Sequence, residues 1–124
     1  MANGKTLLAV DDDPGARRLL QFVLGRTGCD IVTAANGVEA LAIVEKRPVD
    51  LLVTDLMMAG MDGFELTRAL RLMPAYAQLP IIMLSARGQV EGEDAEWNNA
   101  TTCMMAKPFS PIELTSRIQN LLKL

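Results

Sequence analysis

The chain contains no histidine. That absence excludes a Ser-His-Asp or Cys-His nucleophilic site and any histidine-ligated zinc. Cysteine is scarce: Cys29 and Cys103 are the whole complement, far apart and in no CxxC pattern. Free thiols buried in a reducing cytoplasm are the better reading of such a pair than a disulfide or a metal knot. No apolar run approaches the about 18 residues of a membrane span, and no secretory signal pattern is visible. The expectation is a cytoplasmic protein that neither crosses nor coats a membrane. Basic clusters are missing too. Lys and Arg are scattered through a chain of net charge −3 and pI near 4.9, which argues against direct nucleic-acid binding.

What is present is a regular alternation. The 124 residues, half of them hydrophobic, suit one domain spanning 1–124 with its own core. Strand signals fall at Thr6–Val10, Asp30–Ala34, residues 50–54, residues 80–84 and Cys103-Met104-Met105-Ala106. Between them lie helical patterns. The first starts with Asp13 as N-cap and Pro14 at the first helical position, and is expected to end at Gly28. Its apolar face reads Ala16, Leu19, Leu20, Val23 and Leu24. A second follows the Asn36-Gly37 turn and closes near Lys46, before Pro48. A third carries Leu66, Ala69, Leu70 and Met73. A fourth, in residues 90–99, is the poorest, with Gly92, four acids and only Val90 and Trp97 to bury. The last opens on the capping sequence Ser110-Pro111-Ile112-Glu113. Strands alternating with helices predict an α/β fold: a doubly wound, five-stranded parallel sheet with five helices on two faces.

Three of those strands end in charge. The first runs into Asp11-Asp12-Asp13, the third into Asp55, and the fifth into Lys107-Pro108. In an open α/β sheet ligands bind beyond the carboxyl ends of the strands. The three ends would therefore gather carboxylates and one ammonium in a single crevice. Crowded carboxylates repel one another unless a divalent cation joins them. The simplest chemistry for such a site is Mg²⁺-assisted phosphoryl transfer onto an aspartate. Asp13 reads instead as an N-cap, Asp62 as a loop or helix-start residue, and most of the methionines as core filler.

Four segments together resemble the receiver domain of bacterial two-component response regulators. They are Val10-Asp11-Asp12-Asp13-Pro14, Val53-Thr54-Asp55 with its following loop to Gly63, Met83-Leu84-Ser85-Ala86, and Ala106-Lys107-Pro108-Phe109. The resemblance implies strand order 2-1-3-4-5 and a role for each matching residue. Asp55 matches the phospho-acceptor. Asp11 and Asp12 match the acidic pair that holds Mg²⁺, with Asp55 and the backbone carbonyl of Met57 as further ligands. Ser85 matches the switch hydroxyl, and Lys107 the lysine that pairs with acceptor and phosphoryl group. The Lys107–Pro108 bond is typically cis in such proteins.

The resemblance also implies a partner, a sensor histidine kinase or histidine phosphotransfer protein, and a downstream target or fused output domain of unstated identity. It implies no enzyme beyond catalysis of the chain's own phosphorylation and dephosphorylation. Departures from the family pattern are Ala59 for a proline, Ala100 for a glycine, and Met104 where many members carry Tyr or Phe. A degenerate receiver serving only as an interaction module is the alternative, and the intact Asp11, Asp12, Asp55, Ser85 and Lys107 argue against it. A haloacid-dehalogenase phosphatase would need an acid at position 57. A flavodoxin or dinucleotide binder would need a glycine- or hydroxyl-rich loop where Asp11-Asp12-Asp13 stand, and those acids would repel a phosphate.

Overall fold

Runs in which every side chain is apolar or small can be buried on both faces, and such runs build parallel sheets. The computed structural model describes residues 3–86 and 101–124. It places five strands in one parallel sheet of order β2-β1-β3-β4-β5. They are β1 (Thr6–Val10), β2 (Asp30–Ala34), β3 (Leu51–Asp55), β4 (Ile81–Ala86) and β5 (Thr102–Lys107). Every residue of the central β1 and β3 is buried, whereas the edge strand β2 is mostly half-exposed.

Alternate side chains of each strand leave on opposite faces. Leu8, Val10, Leu52, Ile81 and Met83 pack against α2 (Gly37–Lys46) and α3 (Gly63–Arg71). Leu7, Ala9, Leu51, Val53, Ile82 and Leu84 pack against α1 (Pro14–Gly25) and α4 (Pro111–Leu122). Met104 is partly buried on the first face and Met105 buried on the second. The methionines of β5 are therefore core filler, as their pattern suggests. No helix among the described residues is long and apolar enough to cross a membrane.

Side-chain caps set the helix starts. Asp13 accepts the Ala16 N–H at 2.7 Å, Asn36 the Glu39 N–H at 2.8 Å, and Ser110 the Glu113 N–H at 3.2 Å. Asp62 and Glu65 form a reciprocal capping box at α3. Asp13 and Asp62 are thus helix-start residues, and the Asn36-Gly37 turn proves to be a cap.

Several expectations need correction. Five helices were expected; among the described residues there are four, with a short 3-10 turn at Pro74–Tyr76. The helix expected in residues 90–99, with Trp97 and the Ala100 departure, lies outside the described residues. Helix α1 ends at Gly25 and not at Gly28. The Thr27 hydroxyl donates to the Leu24 carbonyl at 2.7 Å, and the last amides reach back only three residues. Gly28, at φ +83°, makes the following turn. Met73 falls beyond α3, as the cap of the 3-10 turn. Leu19, expected in the core, is 52% exposed. It borders a cleft of about 410 Å³ shared with Lys107, Phe109 and Pro111.

Candidate functional site

Strand register brings distant residues level. Val10 pairs with Thr54, Thr54 with Met83, and Met83 with Met104. One step further along, the chain reaches Asp11 after β1 and Asp55 at the end of β3. Three steps along β5 it reaches Lys107. A parallel sheet thus delivers all three to one end of the molecule.

Their environments differ. Asp11 is buried; its Oδ1 accepts the Asp13 N–H at 2.9 Å, and its main-chain carbonyl accepts from the Arg17 guanidinium at 2.8 Å. Asp12, the next residue, is exposed. Asp55 is buried, its side chain only slightly open to solvent. Lys107 Nζ stands 3.0 Å from Asp55 Oδ1 and 3.3 Å from Asp11 Oδ2. One carboxylate oxygen each from Asp11, Asp12 and Asp55 lie within 4.8 Å of one another. Three negative charges against one positive leave an excess of two, which a divalent cation with oxygen ligands would balance. The donor set therefore fits Mg²⁺.

Electrostatics report the same crowding. Burial pushes the Asp55 carboxyl above its ordinary 3.8; Lys107 pulls it back down, and the charges of Asp11 and Asp12 raise it. For Lys107 burial works downward, but the bond to Asp55 and the Asp11 and Asp55 charges prevail and raise it above 10.5. Each group is held in its charged form chiefly by the other.

The structure brings Asp11, Asp12, Asp55 and Lys107 together. Ser85 is buried on β4, level with Ala106, and among the described residues it has no hydrogen bond to Asp55 or Lys107. The Met57 side chain is largely exposed, which leaves its main chain as what it can offer the site. The Lys107–Pro108 bond is cis. One further site residue is Gly63. A Cβ there would stand 3.0 Å from the Asp55 carbonyl oxygen and from the Leu56 Cα. In the sequence it closes the acceptor-loop segment that carries the family resemblance, but nothing there tells of its close approach to Asp55.

A family model described as "Response regulator receiver domain" matches residues 7–119. The chain is 40% identical over 121 residues to a probable transcriptional regulator, ycf27, of Cyanophora paradoxa, covering 98% of this chain and 49% of that protein. It is 39% identical over 113 residues to an uncharacterised 14.6 kDa protein of Leptolyngbya boryana, covering 91% and 86%. The chain spans about half the length of most of the curated relatives it matches. Among solved structures, a putative response regulator from Chloroflexus aurantiacus superimposes with a TM-score of 0.87 at 37% identity, covering 98% of this chain and all of that one. The receiver domain of the sensor histidine kinase PA1611 from Pseudomonas aeruginosa, with a magnesium ion coordinated in its active site cleft, gives 0.82 at 26% identity, covering 98% and 99%.

Proposed function

The chain belongs to the response regulator receiver domain family, and on that footing we propose that it accepts a phosphoryl group on Asp55 in a Mg²⁺-dependent reaction. The observation that carries this reading is the grouping of three carboxylates within 4.8 Å with an ammonium 3.0 Å from the central one. Asp11, Asp12 and Asp55 would hold the cation, with the Met57 carbonyl as the main-chain ligand. Bound there, Mg²⁺ supplies neutralising charge to the acceptor and to the oxygens in transfer.

The residues themselves do the rest. Asp55, held ionised by Lys107, needs no base and attacks phosphorus directly. The new bond joins its free oxygen to phosphorus; the bond that breaks joins phosphorus to the imidazole nitrogen of a phosphohistidine donor. Lys107 keeps a compact cation beside the acquired charge. The Ser85 hydroxyl, without a bond to the acceptor, is available to turn toward the phosphoryl group, vacating space on the Met104 side of β5.

The donor is a sensor histidine kinase or a histidine phosphotransfer protein, and the exchange takes place in the cytoplasm. Hydrolysis of the acyl phosphate is the chain's own second reaction, and it acts on no other substrate. The complete acceptor, acidic pair and lysine speak for a working receiver over a degenerate one. Incubation with acetyl phosphate and Mg²⁺ should add one phosphoryl group by intact mass, and EDTA should prevent it. No adduct, or an adduct indifferent to EDTA, would overturn the reading.

A further inference from the structure

The loop between Asp55 and α3 is tied down at several points. Met58 is buried in the core beneath α2 and α3, and Met61 packs against that core. The Gly63 N–H donates to the Leu56 carbonyl at 2.8 Å and closes the loop at its neck. Gly60, at φ +79°, makes the turn between them. Gly37 admits Met61 only because it lacks a side chain: a Cβ there would stand 2.6 Å from the sulfur. These ties fix the loop to the scaffold and touch no acid of the site. One further contact does. Ala59, exposed and midway along the loop, donates its backbone N–H to Asp12 Oδ2 at 3.2 Å.

Asp12 gains from such a donor, which the proline usual at position 59 in the family cannot supply. Asp11 is buried and held by the Asp13 amide and Lys107. Asp12 is exposed, and an oxygen of it lies within 4.8 Å of oxygens from two other carboxylates. Repulsion favours rotamers that swing it into solvent. Among the described residues, the Ala59 amide is the hydrogen-bond donor the structure shows on this carboxylate. One oxygen is thereby engaged and the other remains open. Ligating carboxylates that accept such an outer hydrogen bond bind their metal more tightly, because orientation is settled beforehand.

We propose that the Ala59 backbone amide is a positioning group for the divalent-cation site, holding the Asp12 carboxylate toward Asp11 and Asp55. The proposal rests on the Mg²⁺ reading above and extends it. The loop that follows the acceptor is then coupled to occupancy of the metal site, and by reciprocity the cation steadies the loop. Any residue except proline at position 59 can supply the contact, since only proline lacks the N–H.

Amide exchange followed by NMR tests the contact without metal. In EDTA, Asp12→Ala should speed exchange at Ala59 and leave Gly63 unchanged. Adding Mg²⁺ to the wild-type chain should slow exchange at Ala59. Calorimetric titration of Mg²⁺ into Ala59→Pro should show about tenfold weaker binding. Ala59→Ser, which keeps the amide, should match wild type. Should Ala59→Pro fail to fold, the wild-type exchange experiment still decides. Exchange at Ala59 that Mg²⁺ accelerates, or an Ala59→Pro variant that binds Mg²⁺ as tightly as wild type, overturns the proposal alone. A wild-type chain with no Mg²⁺ affinity overturns the metal site and this proposal together.

Discussion

Two charged clusters sit at opposite ends of the sheet, and they are built on opposite principles. At the carboxyl ends of the strands, three carboxylates share one ammonium. At the amino ends, Arg71 closes α3 with neutral oxygens as its partners among the described residues. It donates to the carbonyls of Leu79 at 2.7 Å, Tyr76 at 3.1 Å and Thr101 at 3.4 Å, and to the hydroxyls of Thr102 at 3.0 Å and Thr101 at 3.2 Å. Burial pulls its pKa down, yet a guanidinium stays protonated. Arg71 is spread over dipoles from three parts of the chain, and its work is to join α3 and the 3-10 turn to the start of β5. The acidic end lacks such compensation: three carboxylates face one ammonium.

Substitutions at the two ends should separate these roles. The largest effect belongs to the acidic end: Asp55→Asn should abolish phosphoryl labelling by acetyl phosphate and Mg²⁺, read by intact mass. Labelling of the variant at the wild-type level would move the acceptor elsewhere. At the other end, Arg71→Met should leave labelling intact but cost about 3 kcal/mol in urea denaturation, because buried carbonyls lose a charged donor. Lost labelling in a folded Arg71→Met chain would erase the contrast.

The third expectation reverses the usual sign. In EDTA, Asp55→Asn should raise stability by about 1 kcal/mol, the ordinary size of a single-site effect. Since the Asp55 pKa is raised in the fold, its ionised form is the costly one. That cost is fully present above the raised value and fades as pH falls through it toward 3.8. The advantage of the variant should therefore be greatest near neutrality and shrink in acid; an advantage that grows in acid would contradict it. The smallest effect is expected at Asp62→Ala. Loss of the α3 cap should lower stability by somewhat under 1 kcal/mol while Mg²⁺ affinity stays unchanged. A fall in affinity would make Asp62 part of the metal site.

Much of this was legible beforehand, for identifiable reasons. Strands buried on both faces leave apolar runs, so β1, β3 and β4 stand out. Caps need particular side chains, so Asp13 and Ser110 mark their helices. Charges that end buried runs mark Asp11, Asp55 and Lys107. The remainder depends on information that residue types do not carry. Periodicity gives the direction of a buried face but not its width, which is why Leu19 falls outside the core. Thr27 stops α1 early through a hydroxyl bond that competes with the helix. The Arg71 cluster draws on main-chain carbonyls, which every residue has. Ala59 acts through its amide, and alanine looks the same whether its N–H is used or not.

Asp11 and Lys107 meet at 3.3 Å across a separation of 96 residues. A ribosome adding roughly 5–20 residues per second needs on the order of ten seconds to synthesise the stretch between them. A nascent chain carries Asp11 and Asp12 early and Asp55 midway, but Lys107 arrives only with β5. A chain cut short before β5 therefore lacks the ammonium that pairs with Asp11 and Asp55.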